Sequence, residues 1–329
     1  MNSFPDGLDE RDLIRALARW GIHAGSVEYA PVGFGSYHWR AAGRGGDRYF
    51  VTVDDLDRKP CLGHDRDSVF EGLRSAFATA LALRDDAGLG FVVAPLATAD
   101  GATVHRMSAR YTVAVFPFID VQAGEFGQTS TTDQRDRLIH ILAALHHATP
   151  AVASIAPRRD PELAERAGLD AALRELNGPW TGGPYAEPAR AWLSANAGAV
   201  RRMLETFDQL AARVAVSVDQ ATVTHGEPHA GNFVHASQGL VLIDWDTVAL
   251  AAPERDLWML DRDWENASAL YAEATGRQVD RKVLMFYRLA WDLTDIASFL
   301  GLFRSAHELT EDSAHAWVSL TDGIDVQDE

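Results

Sequence analysis

Two stretches of the chain carry residues that could do chemistry: Thr224-His225-Gly226-Glu227-Pro228-His229-Ala230-Gly231-Asn232, and shortly after it Leu242-Ile243-Asp244-Trp245-Asp246. Carboxylates and an asparagine stand there at short intervals, between apolar runs. Phosphoryl transfer needs such a set, with one group to orient an attacking hydroxyl and others to hold Mg²⁺ against nucleotide phosphates. Glu227 is the candidate general base, accepting a hydrogen bond from a substrate hydroxyl and holding it in line with the phosphorus. Asn232 offers a metal its side-chain oxygen, and Asp244 could bridge one or both Mg²⁺ ions, which prefer hard oxygen ligands. Taken singly, each has an ordinary explanation: an isolated Glu is usually solvated, and an Asp after a strand often caps a turn. Their order and their flanking apolar segments favour the functional reading.

His225 and His229 invite a zinc reading, which the neighbouring residues oppose. Gly226 and Pro228 break the continuous helix that a His-Glu-x-x-His site needs, and the glutamate stands at the wrong offset. The His-x-Glu of zinc deaminases requires a downstream pair of cysteines, and Cys61 is the only cysteine. His225 is expected to brace the loop by hydrogen bonding. His229 has two readings, one beside the phosphates and one purely structural.

The elements that must position these groups change character along the chain. Residues 7–20 form an amphipathic helix with Leu13, Ile14 and Leu17 on one face and acidic residues near its start. Short strands follow at 27–32, 37–41 and 49–53, with Gly33-Phe34-Gly35-Ser36 as a tight turn between the first two. A helix over 68–85 places Val69, Leu73, Phe77 and Leu81 along one face. Segments 91–94 and 111–118 are predicted as further strands, antiparallel to each other. Helices then dominate at 133–149, 161–176, 188–216, 256–273, 280–304 and 310–320, interrupted by the loop-like stretch 178–185. Strands at 221–224 and 240–243 flank the candidate catalytic loop. No internal repeat is evident.

At 329 residues, with 47% hydrophobic and 23% charged residues, the chain suits two lobes with a sizeable core. A net charge of −17 argues against nucleic acid or an anionic membrane surface as the main partner and is compatible with a cationic substrate; solubility alone also explains it. One cysteine permits neither an intramolecular disulfide nor a multi-cysteine zinc site. The amino-terminal residues lack a secretory pattern and no apolar run approaches a membrane span, so a cytoplasmic protein is expected.

The two motifs resemble the catalytic and metal-binding motifs of the aminoglycoside phosphotransferase and choline kinase-like family, and within it most nearly the spectinomycin phosphotransferase branch. Phe116-Pro117-Phe118-Ile119, Ala252-Pro253-Glu254-Arg255-Asp256-Leu257, Tyr287-Arg288 and Asp295-Ile296-Ala297 add to the resemblance. It implies an α+β, protein-kinase-like bilobal fold: a small antiparallel-sheet lobe over 1–119 that binds nucleotide, and a larger, mainly helical lobe over 120–329 for catalysis and acceptor binding. It further implies ATP with its adenine against the 116–119 hinge, so that Phe116, Phe118 and Ile119 contact the base or, for at least one aromatic, pack in the core. Gly33, Gly35 and Ser36 would present backbone N–H groups to the phosphates, unless they form a plain hairpin turn. Asp256 would bond the catalytic-loop backbone.

Two departures from the family pattern bear on mechanism. Glu227 stands where the family usually has Asp, which keeps the chemistry and moves the carboxylate outward. Thr52 stands where the family's strand lysine touches the α- and β-phosphates, leaving Glu71 on the next helix without its partner. Lysine is scarce, with only Lys59 and Lys282 in the chain, and Lys59 and Arg66 are the candidates to fold back over the phosphates. Asp246, Asp263 and Asp295 would meet the ammonium groups of an acceptor, with Trp264 and Trp291 as flat walls. The reaction implied is transfer of the ATP γ-phosphate to a hydroxyl of an aminocyclitol, aminoglycoside or related amino sugar, as in antibiotic resistance. A kinase of a sugar or choline-like metabolite, and a nucleotide-binding pseudokinase motivated by Thr52, remain as alternatives.

Overall fold

The computed structural model describes residues 1–33, 35–120, 131–216, 221–236, 239–260 and 264–324. By its contacts the chain forms two compact units, one built mainly from residues 3–159 and 218–280, the other from 160–217 and 281–329.

The first unit opens with helix α1 (Glu10–Leu17), started by the Asp9 side chain, which accepts from Arg11 N–H. Strands β1 (Val27–Ala30), β2 (Tyr37–Ala42) and β3 (Arg48–Asp55) form an antiparallel meander. Helix α2 (Arg66–Asp85) follows, fixed at its start by a reciprocal Asp65–Ser68 capping box. Strands β4 (His105–Arg106) and β5 (Tyr111–Pro117) complete a five-stranded sheet of order β1-β2-β3-β5-β4. Alternation decides its two faces. Val51, Val53, Val113 and Val115 face α1 and its apolar cluster, while Ala114 and Phe116 face Val69, Leu73 and Phe77 of α2. Burying each such aliphatic side chain contributes about 1.5–3 kcal/mol.

Segment 91–94 departs from the sequence-based pairing. It is not a neighbour of β5; Val93 N–H donates to Leu242 O at 3.1 Å and Leu242 N–H donates to Phe91 O at 2.7 Å, a parallel bridge. Val93 packs in a small cluster with Val234 and Val241, so its apolar run is satisfied by a distant part of the chain.

Helices α3 (Thr132–His147) and α4 (Thr149–Val152) precede the second unit's α5 (Arg166–Arg174) and α6 (Ala186–Val216). The first unit resumes with β6 (Thr222–Thr224), β7 (Phe233–Ala236), β8 (Gly239–Leu242) and β9 (Ala249–Ala251). These form two small antiparallel pairs, β6 with β9 and β7 with β8. The strands predicted at 221–224 and 240–243 therefore exist but belong to different pairs. Short α7 (Glu254–Leu257) and then α8 (Trp264–Thr275) replace the single helix predicted over 256–273.

In the second unit α9 (Arg281–Arg304) packs along α6, with Phe286 stacked on Phe207 at 4.9 Å between ring centroids. Helix α10 (Glu311–Asp322) adds Trp317 to an aromatic cluster with Tyr185 and Phe303. The 178–185 loop is fastened there: His307 N–H donates to Gly182 O at 2.9 Å, and Tyr185 N–H donates to His307 Nε2 at 3.0 Å. No helix among the described residues is long and apolar enough to cross a membrane.

Candidate active site

The candidate catalytic loop leaves β6 at Thr224 and turns at Gly226, whose φ of 103° favours glycine. A fully buried carboxylate holds the turn. Asp256 Oδ2 accepts from His225 N–H at 2.8 Å and Asp256 Oδ1 from Gly226 N–H at 2.7 Å, the backbone role expected for it. His146 of α3 donates Nε2–H to the same carboxylate at 3.1 Å and accepts from Tyr271 OH through Nδ1 at 2.7 Å. His225 braces the loop as expected: Nε2–H donates to Ile243 O at 2.9 Å while Nδ1 accepts from Glu227 N–H at 3.2 Å. Burial pushes its pKa down to about 4, so it is a neutral structural imidazole.

Glu227 is half-buried beyond this brace. Burial first, and then the Asp246 carboxylate, push its pKa up to about 7, against the pull of Arg255, Lys59 and Arg159. A carboxylate poised there can take a hydroxyl proton near neutral pH. Asn232 ends a short 3-10 turn (Ala230–Asn232), and its Nδ2 donates to Glu227 O at 2.8 Å, tying the two residues together. His229 caps that turn by accepting Gly231 N–H on Nδ1 at 3.1 Å, and its Nε2 lies 3.3 Å from Asn232 Nδ2. Burial lowers its pKa to about 4.

Asp244 sits just past β8 with φ of 64°, a left-handed conformation that a non-glycine residue adopts at a cost of order 1–3 kcal/mol. The loop is pinned on both sides, by Ile243 N–H donating to Asn232 O and Trp245 Nε1–H to Leu242 O. Asp244 keeps an exposed face, yet the protein packed around it and the nearby charges of Asp246 and Glu227 raise it well above the usual carboxylate range. The charges of Asp244, Asp246 and Glu227 act on one another, which favours a cation nearby. Among the described residues the Asn232 side chain makes its contacts through Nδ2, and its Oδ1 is the atom that could meet a metal. Among the described residues no three His, Cys, Asp or Glu side chains form a ready-made metal cage. Mg²⁺ fits such a set, since it is usually held by one or two protein oxygens together with phosphates.

Lys59 enters the same site from the loop after β3. Its Nζ donates to Asp246 Oδ2 at 2.5 Å and to Ser36 Oγ at 3.0 Å, and lies 3.0 Å from Asp54 Oδ1. Burial opposes its charge, but Asp246, Asp54 and Asp244 outweigh that and hold the ammonium well above the usual lysine range. Asp246 is correspondingly held below the usual carboxylate range, the Lys59 charge overcoming burial. Arg66 is not brought here: it is exposed and forms a two-pronged pair with Asp57 at 2.6 and 2.7 Å. Gly33 and Gly35 both adopt left-handed φ values in the turn that leads to Ser36, whose hydroxyl donates to Asp54 Oδ1 at 2.7 Å.

At residues 116–119, the segment expected to form the hinge, the aromatics divide. Phe116 belongs to the core, edge-on to Phe77 at 5.6 Å, while Phe118 and Ile119 line a cavity of about 470 Å³ with Val93, Ala94, Pro117 and Val241. The Arg48 guanidinium covers the Phe118 ring at 4.2 Å. Of the expected acceptor residues, Asp246 is in the site, Trp291 and Asp295 lie on α9 in the second unit, and Asp263 and the Trp264 side chain fall outside the described residues. Sequence reasoning missed Asp54, His146 and Arg159. Asp54 left one trace, the acidic pair Asp54-Asp55 that ends a largely apolar strand. Arg159 left none, although its charge acts on Glu227 and Asp246, and its Nε is buried without a hydrogen-bond partner among the described residues.

A family model described as "Phosphotransferase enzyme family" matches residues 38–287. Protein StrN of Streptomyces griseus is 30% identical over 301 residues, covering 90% of this chain and 85% of that protein. Among solved structures, spectinomycin phosphotransferase APH(9)-Ia in complex with ADP and spectinomycin superposes with a TM-score of 0.73 at 18% identity, over 97% of this chain and 96% of that one. Choline kinase LicA from Streptococcus pneumoniae gives 0.54 at 17% identity, over 95% and 98%. The structural likenesses are of fold, and they agree with the protein-kinase-like arrangement of an antiparallel amino-terminal sheet and a mostly helical remainder. With the family match extending from β2 into α9, the chain belongs to the phosphotransferase enzyme family and is an ATP-dependent small-molecule kinase.

Proposed function

We propose that this kinase moves the γ-phosphate of ATP to a hydroxyl of an aminocyclitol or aminoglycoside-type molecule. The observation that carries the reading is the placement of Glu227: its backbone carbonyl accepts from Asn232, whose own carbonyl accepts from Ile243 N–H beside Asp244, and burial with the Asp246 charge pushes its carboxyl up to about 7. Glu227 accepts the hydrogen bond of the acceptor hydroxyl and holds its oxygen in line with the γ-phosphorus. As the new O–P bond forms and the bond to the β-phosphate oxygen breaks, the hydroxyl proton passes to Glu227 and ADP leaves. Asn232 and Asp244 would hold Mg²⁺, which when bound neutralises charge on the phosphates. The hinge cavity beside Phe118 and Ile119 has the apolar walls that a nucleobase requires.

The amino-sugar side of the reading rests on charge and likeness. The chain's net charge of −17 and the carboxylates of the site favour a cationic acceptor. The higher TM-score is with a spectinomycin phosphotransferase rather than with a choline kinase.

The test is incubation of the purified protein with MgATP and spectinomycin, other aminocyclitols, aminoglycosides, simple sugars and choline, following ADP release and product mass. A mass gain of one phosphate on an aminocyclitol or aminoglycoside, abolished by chelating the metal, is expected. Phosphorylation of choline or a neutral sugar alone would overturn the acceptor class. Nucleotide binding without turnover on any acceptor would favour a pseudokinase. Expression in a sensitive bacterium should raise tolerance to the antibiotic that is phosphorylated.

A further inference from the structure

Thr52, where the family's strand lysine would stand, uses its hydroxyl on His38 Nδ1 at 3.2 Å. Strand side chains alternate, so Asp54 projects from the same face of β3 as Thr52. A cation does arrive there, from another part of the chain. The Lys59 ammonium donates to Ser36 after the glycine turn and to Asp246 in the metal motif, and forms an ion pair with Asp54 on β3. The cluster is built rather than incidental, since Lys59 is 8% exposed and Asp54 1%. Glu71 has no part in it; it is 57% exposed and paired with Arg74 on its own helix. Asp54 Oδ2 is buried with no hydrogen-bond partner among the described residues, so this carboxylate holds more acceptor capacity than the resting pair uses.

We propose that Lys59 is the phosphate-contacting cation of this enzyme, delivered by the loop between β3 and α2 instead of by the sheet. Asp54 is its positioning carboxylate, in the place of the helix glutamate. Asp246 is the counter-ion that Lys59 exchanges for phosphate oxygens when nucleotide binds. The inference rests on the phosphotransferase reading and deepens it. Two carboxylates on one buried ammonium exceed what neutralisation requires, and Asp246, at 14% side-chain exposure, is the more open of the two. A polyphosphate entering beside Ser36 replaces the Asp246 charge in kind, which keeps Lys59 paired throughout.

The chain's own composition supplies a clean test, because Lys59 and Lys282 are its only lysines. An ATP analogue bearing an acyl group on its terminal phosphate is incubated with the wild-type protein. The lysine nitrogen attacks the acyl carbon, an amide forms, the nucleotide leaves with the C–O electron pair, and the ammonium proton goes to solvent. Acylation of Lys59 that excess ADP suppresses, with Lys282 insensitive to ADP, is expected; ADP-suppressible acylation that bypasses Lys59 would overturn the assignment. In parallel, Lys59→Met should weaken ADP on the order of 10- to 100-fold while leaving adenosine nearly unchanged, the loss for a charge-assisted bond to phosphate. Thr52→Lys in that background should recover part of it. Lys59→Met/Asp54→Asn removes the stranded carboxylate should the single variant fold poorly. Equal ADP affinity in wild type and Lys59 variants, with wild-type turnover intact, sinks this inference alone. A wild-type protein that binds no nucleotide sinks the function reading as well.

Discussion

Replacing Asp256 tests the idea that one buried carboxylate holds the catalytic turn. Its side chain is fully buried and accepts from His225 N–H, Gly226 N–H and His146 Nε2–H. Asp256→Ala leaves three buried donors without an acceptor, each costing about 1–3 kcal/mol, so a loss of about 3–6 kcal/mol is expected after partial relaxation. Against a typical stability of about 5–15 kcal/mol, that variant should be near the edge of folding. Asp256→Asn keeps shape and one acceptor oxygen, and should lose about 2–3 kcal/mol. The folded carboxyl is held below its ordinary range by His146, whose hydrogen bond overcomes burial. Its contribution is therefore complete above the ordinary carboxylate pKa and is lost as pH falls through the lower folded value. Asparagine cannot titrate, so the gap between wild type and Asp256→Asn should narrow on acidification. Urea unfolding followed by tryptophan fluorescence at several pH values, with ADP release measured on the same samples, reads all of this. Both variants within about 1 kcal/mol of wild type and fully active would refute the argument.

Other perturbations act on the base and its loop. Glu227→Gln should abolish transfer while leaving ADP affinity within a few-fold of wild type, checked by product mass and by nucleotide titration. On the proposed reading the ionised carboxylate is the active form, and burial with the Asp246 charge pushes its pKa up to about 7, so kcat/KM should rise through about pH 7 and then level, whereas a flat profile from pH 5 to 9 would exclude Glu227 as the base. A folded pKa raised above the unfolded value stabilises the protein at low pH and is lost as pH rises through 7, so metal-free Glu227→Gln should gain on the order of 1–3 kcal/mol over wild type at pH 8, measured by denaturant titration. Gly226→Ala drives a Cβ into the Arg255 guanidinium, which donates to Thr224 Oγ1 and Thr247 O, and sets alanine at a positive φ. A loss of more than about 1 kcal/mol and of most activity is expected in the same assays.

How much of this was legible in the sequence depends on the range of the interaction. Helix α2 was readable because its apolar spacing and its Asp65–Ser68 cap are local. The candidate loop was readable as one unit because Glu227, Asn232 and Asp244 are close in sequence, and hydrogen bonds join Glu227 to Asn232 and Asn232 to Ile243. The pairing of 91–94 was not, because an apolar run announces burial without naming its partner, and Leu242 competes successfully for those backbone groups. The acceptor residues on α9 were assigned by type alone, and nothing local in Trp291 or Asp295 fixes what they meet.

Lys59 is the instructive case. A lysine in a polar loop reads as solvated surface, and nothing within several residues says otherwise. What draws it inward is a pair of carboxylates, Asp54 on the strand and Asp246 beyond the catalytic loop, that would each be costly to bury alone. The absence of a lysine at position 52 was visible, and the scarcity of lysine made Lys59 a candidate beside Arg66; what no local pattern told is that Asp54 and Asp246 converge on Lys59. The two departures from the family pattern then have a common form. At 227 one extra methylene changes how far a carboxylate reaches, and at 59 a loop changes the direction from which an ammonium arrives. In both cases the charge that the proposed phosphoryl transfer requires is kept, and what differs is its tether, a longer side chain at 227 and a loop at 59.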